Sequence, residues 1–144
     1  VRLLPACRVV VAGAPAYLKR RGIPQKPEDL LQHECIGLRL RKDEPFAWEL
    51  ERGKRSWRVP VRGAIATNDS VLRQALARAG VGLIYTLEPV LADDLARKRL
   101  RLVLEAYAPE VPGLFLYFPS RAQISPAFRA FVDVAREVSA ASAP

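Results

Sequence analysis

No apolar run in this chain approaches the roughly 20 residues needed to cross a bilayer. The opening, Val1-Arg2-Leu3-Leu4-Pro5, also lacks the hydrophobic stretch of a signal peptide. No membrane association is expected, and the cytoplasm is the expected compartment. Histidine occurs once, at His33, and cysteine twice, at Cys7 and Cys35, without a metal-ligand spacing. Zinc chemistry is therefore not expected, and two buried free thiols are. Neither a metal nor a cofactor is expected. Methionine is absent, and the chain opens in mid-pattern, as an excerpt of a longer protein would. The phosphate-binding glycine loop is missing as well, because Gly80-Val81-Gly82 follows a helix pattern and leads into a strand, the reverse of the required order. His33 has no nucleophile in a recognisable elbow, so it reads as a surface or edge histidine. Glu49 and Glu51 share one strand face with no facing carboxylate, so they read as a solvated side. Asp93 and Asp94 precede Arg97 and Lys98 by helical ion-pair spacing. An enzyme is not expected.

What is present is a chain of 144 residues, 50% hydrophobic and 26% charged, enough for about one globular domain with its own core. Lysine and arginine number 23 against 15 acidic residues, a net charge of +8. Such a balance can attract nucleic acid or acidic ligands. The runs Lys19-Arg20-Arg21, Arg39-Leu40-Arg41-Lys42, Arg52-Gly53-Lys54-Arg55 and Arg97-Lys98-Arg99 are dispersed over predicted helix ends and turns, where they read as solvated. A small basic nucleic-acid-binding protein stays as a third reading, with steep salt dependence of DNA binding as its mark.

The most informative stretch is Thr67-Asn68-Asp69-Ser70 followed by Leu72-Arg73-Gln74-Ala75-Leu76 and Gly80-Val81-Gly82-Leu83-Ile84-Tyr85. Side-chain oxygens before a periodic run cap a helix start. Val71, Leu72, Ala75, Leu76 and Ala79 are expected on its buried face, Gly80 and Gly82 at a left-handed ending and a close approach, and 81–85 as a covered strand. The polar helix start and the strand end can face one crevice, where a small carboxylate would suit the free N–H donors.

Around this unit, 8–12 reads as a buried strand, Gly13-Ala14-Pro15 as the turn into a helix stopped by Gly22, and 28–32 as a short helix. Residues 33–38 and 64–67 read as strands, and 46–51 with 56–61 as a hairpin turning at Gly53-Lys54. Tyr17, Trp48 and Trp57 read as packing residues. Thr86 is expected to cap a helix through Leu95, followed by a strand at 100–104, a linker-like 108–113 and an apolar strand at 114–119. Ser125-Pro126 opens the last helix, with Phe128, Phe131, Val132, Ala135 and Val138 as its apolar stripe, and the tail 139–144 is expected to fray.

Taken in order, the strand with Ala-Gly-Ala-Pro-Ala-Tyr-Leu, Pro-Glu-Asp-Leu, the Trp-containing hairpin, Thr-Asn-Asp, Gly-Val-Gly-Leu-Ile and Tyr-Phe-Pro-Ser-Arg before Ser-Pro resembles the effector-binding domain of bacterial LysR-type transcriptional regulators. The resemblance runs over nearly all of the chain. It implies an α/β fold: one periplasmic-binding-protein-like lobe, a mixed sheet flanked by helices, plus a C-terminal helix belonging to the other lobe. Residues 1–13 would be the crossover strand from a missing first lobe, 14–113 the second lobe, and 114–144 the return strand and closing helix of the first.

By the same resemblance the chain would sense a small-molecule effector, acidic or aromatic, in a cleft between lobes. It would form a homodimer or tetramer, and reach DNA only through a winged helix-turn-helix that is absent here. The positions matching the family cleft are Thr67, Asn68 and Asp69 at the helix start, and Ala12, Gly13, Tyr85, Thr86, Phe118 and Ser120 at strand ends and hinges. Plain helix capping is an equal reading of Thr67 to Asp69. Many relatives have Ser where this chain has Ala14. An exposed face on the last helix would promote self-association. The alternative is a lobe of a periplasmic-type solute-binding protein or a stand-alone ligand-binding module.

Overall fold

A computed structural model of the protein describes residues 1–40, 46–118 and 124–141. The strands are β1 (Arg2–Leu4), β2 (Cys7–Gly13), β3 (Gly37–Leu38), β4 (Trp48–Arg52), β5 (Arg55–Val59), β6 (Ala66–Thr67), β7 (Ile84–Leu87), β8 (Arg101–Val103), β9 (Glu110–Val111) and β10 (Leu114–Phe115). The helices are α1 (Pro15–Arg21), α2 (Ser70–Arg78), α3 (Ala92–Ala96) and α4 (Pro126–Ala141), with single 3-10 turns at Pro27–Gln32, Glu88–Leu91 and Glu105–Tyr107. The chain divides into two compact units, Arg8–Pro109 and, separately, Val1–Cys7 with Glu110–Pro144.

In the larger unit β2 is the central strand, because its β-branched run Val9-Val10-Val11 packs well on a pleated surface covered on both sides. It pairs antiparallel with β7, Val11 opposite Tyr85 and Ala12 opposite Ile84, and with β8, Val11 opposite Val103. On the far side of β7 the direction changes. Cys35 bridges Leu83 in parallel, with Ile36 N–H donating to Leu83 O at 2.8 Å, and β3 runs parallel to β6. Both strand directions therefore occur, with the parallel pair β3–β6 forming a small sheet of its own. Gly82 allows this close passage, since a Cβ there would lie 2.5 Å from Glu34 O.

Pro15 starts α1 and Gly22, at φ 86°, ends it. Tyr17 and Leu18 are thereby buried, and the core also takes Leu30, Ile36, Trp48, Leu50, Leu83, Ile84 and Leu91. Trp48 and Leu50 belong to the hairpin β4–β5, whose alternation puts Trp48 opposite Val59 on the core side while Glu49 and Glu51 stay exposed. Cys35 is buried and free; Cys7 is free and half-buried.

Several sequence expectations need correction. The buried face of α2 carries Arg73 and Ala77, while Val71 and Leu72 are exposed. An arginine fits inside because its stem is apolar and its guanidinium finds a backbone carbonyl. Thr86 caps nothing: β7 continues through Leu87, and the 3-10 turn after it starts at the proline signal of Glu88-Pro89. Asp94 is buried and pairs with Arg78 and Arg99, whereas Asp93 makes the expected pair with Arg97 at 2.9 Å. The strands expected at 33–38 and 64–67 are shortened to Gly37–Leu38 and Ala66–Thr67, and the one expected at 81–85 is shifted to Ile84–Leu87.

In the smaller unit β1 pairs antiparallel with β10, and the Val1 ammonium donates to Leu116 O at 2.9 Å. Ser125 Oγ accepts Phe128 N–H at 3.1 Å, so the expected cap holds. Of the α4 stripe only Val132 is buried, and Phe131 and Val138 are exposed. The helix continues through Ala141 rather than fraying at Ser139. Pro119, Arg41, Lys42 and 142–144 lie outside the described residues.

Candidate functional site

The start of α2 is built from side-chain oxygens. Thr67 Oγ1 accepts Asp69 N–H at 3.1 Å, and Asp69 Oδ1 accepts Leu72 N–H at 2.9 Å. A helix start leaves four N–H groups without intrahelical partners. Here those of Ser70 and Val71 have no acceptor among the described residues, so the exposed first turn keeps two donors and a partial positive charge. Asn68, between the two capping residues, is exposed.

Arg73 joins this turn to the sheet. Its backbone N–H donates to Asp69 O at 3.0 Å and its Nη2 donates to Tyr85 O at 2.7 Å. The side chain is 4% exposed, its Nε has no partner, and no carboxylate pairs with it among the described residues. Burial pushes its pKa down from the ordinary value. A buried guanidinium with one carbonyl for company is a costly arrangement, and it sits one turn from the helix start. The sequence reading passed over Arg73. Ala77 and Gly80 follow it by four and seven residues, and small residues at that spacing were the signal that a long polar side chain could lie flat there.

Tyr85 is the meeting point of this region. Its ring stacks on Trp48 at 5.4 Å and 16°, Phe46 packs at 6.4 Å, and its hydroxyl donates to Glu49 O at 2.8 Å. Burial raises the Tyr85 pKa. Trp48 is fully buried, and its Nε1 has no acceptor among the described residues. Arg73 thus ties the start of α2, capped by Thr67 and Asp69, to the backbone carbonyl of Tyr85. Thr86 lies next along β7, opposite Val10 and half-buried.

The remaining expected positions stand differently. Ala12 has no exposed surface and Gly13 is buried, with Leu83 and Leu18 over the place a Cβ would take. Both are packing positions here. Phe118 belongs to the smaller unit, where its ring meets Phe128 edge-on at 5.1 Å. Ser120 lies outside the described residues. His33 is not bare: Nδ1 lies 2.8 Å from Tyr17 Oη, and Glu34 N–H donates to that same hydroxyl at 3.0 Å. Among the described residues no group of three or more His, Cys, Asp or Glu side chains could hold a metal ion. No helix among them is long and apolar enough to cross a membrane.

Comparison with known proteins gives one consistent result. A family model described as LysR substrate binding domain matches residues 1–140. The chain is 33% identical to the HTH-type transcriptional regulator YcaN of Escherichia coli K12 over 133 residues, 92% of this chain and 43% of that protein. It is 32% identical to the HTH-type transcriptional regulator PgrR of the same strain, covering 92% of this chain and 45% of that protein. The chain thus spans less than half the length of these two relatives. Among solved structures, full-length AphB of Vibrio cholerae covers 96% of this chain, which spans 47% of it, with a TM-score of 0.75 and 15% identity. The CrgA regulatory domain of Neisseria meningitidis also covers 96%, with this chain spanning 67% of it, a TM-score of 0.71 and 19% identity. At such identities these structures speak for the fold.

Proposed function

This chain belongs to the LysR substrate-binding-domain family, and from that premise we propose that it senses a small acidic or aromatic metabolite at the start of α2, and that binding controls a DNA-reading domain elsewhere in the same regulator. It is an effector-binding domain of a LysR-type transcriptional regulator, a regulatory and non-enzymatic family with the mixed α/β fold. The observation that carries the sensing proposal is the exposed start of α2, capped by Thr67 and Asp69 and joined to the Tyr85 carbonyl by buried Arg73. Two free first-turn N–H groups, hydroxyl and amide side chains and a positive charge without a counter-charge suit a carboxylate. The half-buried Tyr85 ring, backed by Trp48, suits a flat apolar body beside it.

Control follows from differential affinity. A ligand shifts an equilibrium only by as much as it prefers one arrangement of the protein over another. The domain would act as part of a dimer or tetramer in the cytoplasm and reach DNA through a winged helix-turn-helix outside this chain. The test is a footprint of the complete regulator on its own promoter, with and without small carboxylic acids. A ligand-dependent change in the protected region supports the proposal, and a footprint indifferent to every acid counts against it.

A second reading is a stand-alone ligand-binding module. It is favoured by Escherichia coli YagP, named as a LysR family substrate binding domain-containing protein. This chain is 33% identical to YagP over 106 residues, 73% of this chain and 78% of that protein. Reading the gene upstream of Val1 separates the two: an encoded winged helix-turn-helix supports the regulator, and a start codon directly before Val1 supports the module.

A further inference from the structure

The tip of the β4–β5 hairpin carries an arrangement that effector sensing does not use. Arg52 and Arg55 are the last cross-strand pair before the Gly53-Lys54 turn, so their side chains stand side by side on one face. Like charges directly opposite one another destabilise a sheet, and Lys54 adds a third positive charge in the turn. No carboxylate lies within ion-pair distance of Arg52, Lys54 or Arg55 among the described residues. Arg8, Arg78, Arg97 and Arg99 of the same unit each pair with an acid, while Arg20, Arg21 and Arg73 bond backbone carbonyls.

The two guanidiniums are also held in place. Arg55 stacks over Trp57 at 4.8 Å, and Arg52 stacks over Tyr107 at 5.3 Å while its Nη1 donates to Tyr107 Oη at 3.3 Å. Trp57 and Tyr107 meet edge to face at 5.3 Å, and Trp57 Nε1 donates to Glu28 Oε1 at 3.1 Å. Stacking occupies the flat face of a guanidinium and leaves its N–H edges free for forked bonds to carboxylates. It also removes much of the side-chain freedom that binding would otherwise have to remove. Exposed arginine beside half-buried tryptophan and tyrosine is the composition of an interface hot spot.

We propose that this hairpin tip is a docking site for an acidic segment of a partner protein, with Arg52 and Arg55 each taking a carboxylate. The choice of protein over nucleic acid rests on the rings. Both already receive a guanidinium, and Trp57 and Tyr107 meet each other, so the cluster offers charge forks rather than open platforms for stacked bases.

The test is fluorescence anisotropy of labelled hexaglutamate with this chain at low salt. The double variant R52Q/R55Q is expected to weaken binding roughly fivefold or more. A control, K19Q/R62Q, removes the same charge from two other exposed positions and should weaken it less than about twofold. R52K/R55K keeps the charge but not the flat fork, and should fall between the unaltered chain and R52Q/R55Q. Equal losses in R52Q/R55Q and K19Q/R62Q would reduce the effect to net charge and overturn the proposal, as would failure of the unaltered chain to bind hexaglutamate. A duplex DNA of matched charge that bound more tightly, with the same dependence on Arg52 and Arg55, would also overturn it. Circular dichroism of each variant guards against misfolding, and R52K/R55K supplies the comparison if R52Q/R55Q unfolds.

Discussion

At the residue scale the fold depends on a few polar atoms in apolar surroundings. The Tyr17 hydroxyl accepts Glu34 N–H and meets His33 Nδ1, so Tyr17→Phe should cost about 1–2 kcal/mol by leaving a half-buried N–H without its acceptor; urea unfolding measures it. His33 itself is held below its ordinary pKa of 6.5, first by burial and then by the Arg21 charge. The unfolded chain therefore binds a proton before the folded one does. Stability should be full above about 6.5 and decline as the pH falls from there through the folded value. Because His33 is the single histidine, its proton resonances report it alone, and a midpoint at or above 6.5 would contradict this account. The lone histidine was legible as structural from the sequence. Its tyrosine partner was not, because the two are sixteen residues apart on separate elements and no local pattern joins them. Burial also drives the Cys35 thiol up to about 12, so it should resist alkylation in the folded protein, whereas half-buried Cys7 should react first.

At the scale of elements, α2 shows both what a sequence reveals and what it hides. Thr67-Asn68-Asp69 announced a helix start, and Asp69 does cap it. Asp69→Ala should cost about 1 kcal/mol, whereas Asp69→Asn should cost little, as read by thermal unfolding. The buried face was misread because periodicity counts apolar side chains. Leu72 counts as one and is exposed; Arg73 does not and is buried, its charge bound to a carbonyl that belongs to another element. Hairpin β4–β5 was legible because strict alternation has only one explanation, a sheet with one covered face. Thr86 misled because a hydroxyl before an acidic residue looks like a cap, while the register of β7 against β2 carries the strand past it. Gly82 passes so close to Glu34 O that Gly82→Ala should destabilise by about 2 kcal/mol or more, since backbone cannot yield as a side chain can.

At the scale of the molecule, family, fold class and the regulatory reading were legible because many weak motifs occurred in the family's order. The site was legible only in part. Thr67 and Asp69 cap the start of α2, Ala12 and Gly13 are buried, and the bond from Arg73 to the Tyr85 carbonyl becomes visible only once β7 lies beside α2. In the smaller unit α4 leaves Phe131, Val134 and Val138 exposed on one helix. Apolar area of that kind favours association. Val134→Asp together with Val138→Asp should lower the mass seen by sedimentation equilibrium relative to the unaltered chain. The central claim is that the start of α2 beside Tyr85 receives a small acid. Its most direct test is a nitrogen-15 spectrum of the chain titrated with benzoate and succinate, and with their amides as uncharged controls. The account predicts that one of the acids, and neither amide, moves the amide resonances of Thr67, Asn68, Asp69, Arg73 and Tyr85; resonances that stay still at millimolar acid, or shifts confined to other parts of the chain, would contradict it.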